Sequence, residues 1–206
     1  MRRNVHAEHM AALPWQDVPD FVAELETRPG VSARALEFII LTAARSGEAR
    51  GARWSEISSG TWTVPAERMK RSIEHRVPLS PDALRVVEAV RYLDGDLLFP
   101  SNSRNSDGRA RPQSDMVFKA LMTRMGRSGF TVHGFRSSFR DWCSDSSLAP
   151  RELAEAALSH ASGNEVERAY ARSDHFERRR SLMEDWARFA FSKRTDSAGP
   201  QLRTLS

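Results

Sequence analysis

The chain reads as an α+β fold, mostly α-helical, with one small three-stranded antiparallel sheet. Three observations point there. Apolar residues recur at helical spacing between capping signals through most of the 206 residues. Only one stretch, around residues 53–79, alternates apolar and polar residues about a turn. Apolar residues make up 40% of the chain, enough to bury one core.

Residues 1–13 read as a loose lead-in, 14–191 as the folded domain, and 192–206 as a polar tail expected to be disordered. Pro14 and Trp15 precede a helix through Phe21, Val22 and Leu25, which Arg28-Pro29-Gly30 stops. Ser32 is a candidate cap for a second helix carrying Leu36 and Phe38-Ile39-Ile40-Leu41. Its apolar residues cover most of the circumference, which makes it central and buried. It ends near Arg45-Ser46-Gly47, and a short helix starts at Gly47 or Glu48.

Strands are expected at Arg53–Ile57 and Thr61–Val64 about Ser58-Ser59-Gly60, with a third near Arg76–Leu79. Ser80-Pro81-Asp82 starts a helix running to about Leu93. Ser101 to Pro112 reads as a long, mobile polar loop. Ser114 is expected to cap a helix to Gly126, and Thr131 one holding Arg136, Phe139 and Trp142. Pro150 opens another that ends near His160. Helices are also expected at about 165–171 and 174–191.

Lys and Arg total 31 against 27 acidic residues, a net charge of +4, which is only a weak pointer to nucleic acid. The single cysteine, Cys143, excludes an internal disulfide and a multi-thiolate zinc site, and fits a reducing, cytoplasmic setting. No run approaches the ~20 apolar residues of a membrane span, so no membrane partner is expected. No secretory signal follows Met1-Arg2-Arg3.

The chemistry-bearing residues come in a particular order. His133 and Arg136 stand three apart at a helix N-terminus, on one face, where anions are favoured. Alone, the pair also fits a surface histidine beside an ion-paired arginine. Arg45 interrupts an apolar helix at its C-terminal end, and Glu48 is placed to orient its guanidinium. A structural ion pair fits equally. Lys70 lies on a strand connection among Arg68, Arg71 and Arg76. His160 precedes a turn, and Tyr170 follows ten residues later. The only other tyrosine, Tyr92, falls on an apolar stripe and reads as core.

In this order Arg45, Lys70, His133-x-x-Arg136, His160 and Tyr170 resemble the active-site set of the tyrosine recombinases, or phage-type integrases. The flanking segments resemble that family too. They are Leu41-Thr42-Ala43-Ala44-Arg45-Ser46-Gly47-Glu48, Val64-Pro65-Ala66-Glu67-Arg68-Met69-Lys70 and His133 through Trp142. Arg178 through Trp186 resembles the C-terminal helix of the prophage and genomic-island branch. The resemblance spans roughly residues 10–191.

The resemblance implies the catalytic-domain fold of that family and a site-specific DNA recombinase. Tyr170 would attack phosphorus to form a 3′-phosphotyrosine, with Arg45 and Arg136 holding the non-bridging oxygens. Lys70 would protonate the leaving 5′-oxygen, and His133 would move the tyrosine proton. His160 would support the phosphate, Glu48 would support Arg45, and Arg68, Arg71 and Arg140 would meet DNA. No metal or other cofactor is implied. The partner would be double-stranded DNA at a recombination site, with a monomer alone and a tetramer on DNA, in a bacterial or phage-encoded cytoplasmic protein. Family members carry a helical core-binding domain ahead of this one, and the chain is expected to lack it. A second reading follows from that: a truncated prophage remnant that binds DNA without recombining. A metal-dependent phosphoesterase built on His133 and His160 is a distant third.

Overall fold

The apolar run that ends the second predicted helix organises the molecule. The computed structural model describes residues 11–91, 93, 95–146, 149–160 and 175–194. Helix α2 (Val31–Thr42) buries Leu36, Phe38, Ile39, Ile40 and Leu41 almost completely. It touches α1 (Val18–Glu26), α3 (Ser46–Arg50), α4 (Pro81–Glu88), α5 (Val117–Arg124) and the last described helix, α8 (Phe176–Ala190). A helix apolar all round belongs in such a place. Each large side chain so buried contributes roughly 1.5–3 kcal/mol. Phe38 meets Trp62 and Phe99 at ring-centroid distances of 5.1 and 5.3 Å.

The sheet is three-stranded and antiparallel in the order β1 (Ile57–Ser58), β2 (Thr61–Val64), β3 (His75–Pro78). Ser59 and Gly60 both take positive φ, 47° and 70°, as the two-residue turn from β1 to β2 requires. Trp62 pairs with Val77 and Val64 with His75, so His75 shares the inward face with three buried apolar residues. Strand β3 packs on α8, where the buried Arg179 donates 2.7 Å to the Arg76 carbonyl.

Helices α6 (Gly134–Asp145) and α7 (Arg151–Ala157) complete the site's frame. Trp142 of α6 and Trp186 of α8 approach to 5.2 Å. The Trp186 indole donates 2.8 Å to the Ile40 carbonyl, which also accepts the Ala43 N–H at 3.4 Å where α2 ends.

The structure corrects several expectations. Arg53–Ile57 is not one strand: Trp54–Glu56 forms a 3-10 turn because the Glu56 carboxylate accepts the Arg53 N–H at 3.2 Å. Residues 101–112 are not an irregular loop. They form a hairpin of β4 (Pro100–Arg104) and β5 (Ala110–Pro112), turning at Asp107-Gly108 with Gly108 at φ 79°. Gly30, not Ser32, precedes α2, and α4 ends at Glu88 rather than Leu93. Helix α5 begins at Val117, not at Ser114. Thr131 does cap by side chain, accepting the Gly134 N–H at 3.0 Å.

Residues 11–13 of the lead-in are docked: the Ala11 carbonyl accepts from Thr131 N–H at 2.9 Å, and the Leu13 carbonyl accepts from the Ser138 hydroxyl. Gly134 permits this, since a Cβ there would lie 2.4 Å from the Ala11 oxygen. At the other end Lys193 pairs with Asp20 at 2.7 Å, which ties the first residues of the expected tail to α1. Residues 1–10, 195–206, the predicted helix at 165–171 and Tyr92 lie outside the described residues.

Candidate active site

The site is assembled at helix ends. Helix α2 closes with Ala43 in the left-handed conformation at φ 50°, which turns the chain into Arg45, the N-cap of α3. Glu48 is the third residue of α3, and its carboxylate takes two donors from one arginine. Oε2 accepts the Arg45 backbone N–H at 2.9 Å, and Oε1 accepts Nη1 at 2.7 Å. Main chain and guanidinium are thereby fixed together. The Arg45 side chain stays 26% exposed, open to a ligand.

Arg136 is three residues into α6 from its cap His133, and it is only 5% exposed. Nη1 donates to the Ala43 carbonyl, and Nη2 donates to the Leu158 carbonyl at 2.6 Å. Both acceptors sit at the C-terminal, partially negative ends of helices, α2 and α7. Nη2 also lies 3.2 Å from Nε2 of His160. An arginine can only donate, so this His160 nitrogen accepts and the ring proton sits on Nδ1. There it donates 2.7 Å to Glu155, which also pairs with Arg140 at 3.2 Å. Both His160 nitrogens are therefore engaged, one of them in holding Arg136.

Charge is concentrated here. Burial and the nearby Arg45 push Arg136 down to about 10, against the pull of Glu48 and Glu155; it remains a cation at neutral pH. Partial desolvation pushes the His133 imidazole below its usual value, and Arg136 and Arg45 push it further the same way. Its ring has no hydrogen-bond partner among the described residues and is neutral at pH 7, able to accept a proton. His75 is driven down to about 4, first by burial and then by Arg179, although Glu48 and the Ala157 backbone favour its charged form. A neutral imidazole thus stands between β3 and the end of α7.

Arg45, Glu48, His133, Arg136 and His160 are brought together. Lys70 is exposed on the β2–β3 connection, next to the buried Met69, and makes no hydrogen bond or ion pair among the described residues; Arg71 is the same. Arg140 is half exposed and paired with Glu155. Arg68 turns inward: it pairs with Glu56 at 2.6 Å and donates 3.0 Å to the Glu48 carbonyl, so its cation is already held by the protein. Tyr170 lies outside the described residues.

Sequence reasoning missed Glu155 and His75. Glu155 had a faint signal, an acid across a helix end from His160. His75 had a clearer one, since it alternates with Val77 and so falls on the inner face of its strand. Among the described residues, no group of three or more His, Cys, Asp or Glu could hold a metal ion, and no helix is long and apolar enough to cross a membrane.

Residues 12–177 match the model of the phage integrase family. Prophage integrase IntA of Escherichia coli K12 is 38% identical over 172 residues, covering 81% of this chain and 40% of that protein. The integrase of Enterobacteria phage P4 is 32% identical over 203 residues, covering 88% of this chain and 45% of that one. The chain therefore spans less than half the length of either relative. In structure it resembles a lambda integrase tetramer bound to a Holliday junction, with a TM-score of 0.56 and 22% identity over 80% of this chain and 51% of that one. That likeness establishes the fold. A match over most of its length, together with relatives of this similarity, makes the chain a member of the phage integrase family.

Proposed function

We propose that this chain carries the catalytic machinery of a tyrosine-type site-specific DNA recombinase. One observation supports it above the others: Arg45 and Arg136 are fixed within electrostatic reach of each other, and Arg136 is buried despite the second cation. A phosphodiester's non-bridging oxygens would relieve that repulsion, increasingly so as charge builds in the transition state. The donors are held beforehand by Glu48 and by two helix-end carbonyls, so little reorganisation is needed when charge develops.

In the proposed reaction the Tyr170 phenol oxygen bonds to phosphorus and the bond from phosphorus to the 5′-oxygen breaks. The phenol proton passes to neutral His133, and the leaving oxygen takes a proton from Lys70. His160 acts through its hold on Arg136, and Glu48 through Arg45. A 5′-hydroxyl of another strand reverses the steps, so the phosphodiester energy is retained in the 3′-phosphotyrosine. Arg71 and Arg140 are assigned to DNA phosphates, whose contacts would make affinity salt-sensitive. Double-stranded DNA is the proposed partner and the cytoplasm the proposed setting. The chain would be monomeric alone and tetrameric on DNA, the latter by extension from the lambda integrase assembly.

The test is covalent trapping on nicked suicide DNA, with Tyr170→Phe as control. An SDS-resistant adduct that disappears in the variant is the expected result. Salt-sensitive DNA binding with no adduct would overturn cleavage by this chain and leave a binding-only protein.

A further inference from the structure

We propose that Arg68 is a positioning residue that ties the Arg45 clamp to the strand connection bearing Lys70. The proposal rests on the roles given above to Arg45 and Lys70. Arg68 ends the 3-10 turn Ala66–Arg68, two residues before Lys70. It stands among several arginines, yet its guanidinium faces the body of the protein. Nη2 pairs with Glu56 Oε2 at 2.6 Å, and Nη1 donates 3.0 Å to the Glu48 carbonyl.

Both acceptors are themselves anchored. The same Glu56 oxygen accepts from the indole of Trp62 at 2.9 Å, and Trp62 is fully buried in β2. Glu48 is the residue whose carboxylate fixes Arg45. Its carbonyl lies in the last turn of the five-residue α3, where no backbone donor inside the helix is left for it. Arg68 supplies that donor. A continuous path therefore runs from Trp62 through Glu56, Arg68 and Glu48 to Arg45.

Gly51 adds an independent observation. Its φ is −95°, which any residue can adopt, so no backbone strain calls for glycine there. Space does: a Cβ at position 51 would lie 2.4 Å from Arg68 Nη1. Glycine leaves the opening through which Arg68 reaches the carbonyl.

The chemical consequence concerns relative position. Arg45 holds a non-bridging oxygen and Lys70 protonates the bridging one, both on a single phosphorus. A displacement of about 1 Å between such groups can slow a reaction about 100-fold without weakening binding. Arg68 touches the support of the first and lies two residues from the second. Since its cation is already paired inside the protein, its removal deletes no phosphate contact.

The test uses the full chain with Arg68→Met, Gly51→Ala, the double variant and Arg68→Lys, on suicide DNA at saturation. Adduct formation is expected to slow about 10-fold or more in Arg68→Met and about 10-fold in Gly51→Ala. DNA affinity and its salt slope should hold within about two-fold. The double variant should be no slower than Arg68→Met, because both act on one contact. Arg68→Lys should recover part of the rate, since one ammonium reaches only one of the two acceptors. A weakened DNA affinity with a salt slope smaller by about one contact would make Arg68 a phosphate ligand and overturn the proposal. Losses that multiply in the double variant would overturn it as well.

Amide hydrogen exchange in residues 46–51 gives a second readout that needs no cleavage. Exchange should quicken about 10-fold in Arg68→Met and in Gly51→Ala at equal global stability. Unchanged exchange would remove the strut even in a chain that cuts DNA. A wild-type chain that forms no adduct, but whose variants exchange faster, would keep the strut and sink the cleavage reading instead.

Discussion

The two sides of the candidate site are built differently. On one side Arg136 is buried among the ends of α2, α6 and α7, and hydrogen bonds link its guanidinium to two backbone carbonyls and to His160, and His160 to Glu155. On the other side Lys70 and Arg71 stand in water on the β2–β3 connection, unpaired among the described residues. The first side carries charge that must not move while charge develops. The second carries the group that gives up a proton: its connection is anchored through Arg68, but its own ammonium is open to solvent. Preorganised dipoles stabilise charge without reorganising, whereas a hydrated ammonium keeps its proton until a base is presented.

The sharpest way to break this contrast is Arg136→Ala. Adduct formation should fall about 1,000-fold. Stability should fall by about 2 kcal/mol, because the carbonyls of Ala43 and Leu158 lose their donor. Arg136→Lys should recover little of either, since one ammonium cannot span both carbonyls and Nε2 of His160. A lysine variant with near wild-type rate and melting temperature would show that the enclosure is not what matters.

A pH titration of stability probes the enclosed side without DNA. His75 is held at about 4 in the folded protein against 6.5 for the free group. Above 6.5 both states are neutral and stability is at its full value. As the pH falls from about 6.5 to about 4, the unfolded chain takes a proton that the folded chain refuses. Stability drops by about 3 kcal/mol over that window. Glu37, buried in α2 and raised to about 7, acts with the opposite sign: its protonation adds stability as the pH falls from about 7 toward 4.5. The wild-type curve alone would hide both. The difference between wild type and His75→Gln isolates the histidine, and it should shift by about 3 kcal/mol between pH 7 and pH 4 in urea titrations. A flat difference would place His75 in solvent.

The open side makes the converse prediction. Lys70→Ala should slow adduct formation about 100-fold while changing stability by no more than about 0.5 kcal/mol. Parallel losses of rate and melting temperature would mean that Lys70 is packed, and the two sides would no longer differ.

Much of this was legible in the sequence, for a physical reason that also explains the failures. Arg45 and Glu48, or His133 and Arg136, lie three residues apart, and helical spacing alone places each pair together. Local turn chemistry predicted Ser59-Gly60 and the Ser80 cap, whose hydroxyl accepts the Ala83 N–H. The β4–β5 hairpin carried a local sign too, Asp107-Gly108, but its flanks are polar on both faces and show no alternation to reveal a strand. Arg136's acceptors could not be read at all. They are backbone carbonyls 93 and 22 residues away, and a carbonyl is the same whatever side chain it belongs to. Arg68 looked like a free cation because its partners belong to other elements.

Ala43 offers the smallest effect and the finest test of the enclosed side. At φ 50° an alanine pays roughly 1 kcal/mol that glycine would not. Its methyl is 2% exposed and its burial is worth about 0.8 kcal/mol. The two terms nearly cancel, so Ala43→Gly should move stability by less than about 0.5 kcal/mol and the cleavage rate by less than about two-fold. Ala43→Val separates methyl from carbonyl. A β-branched residue is strongly disfavoured in the left-handed region, so the backbone must rotate there and carry the Ala43 oxygen off Arg136. Adduct formation should then fall about 10-fold. Equal rates for glycine, alanine and valine would mean that Arg136 is held by the Leu158 carbonyl and His160 alone, and that the end of α2 serves the fold rather than the chemistry.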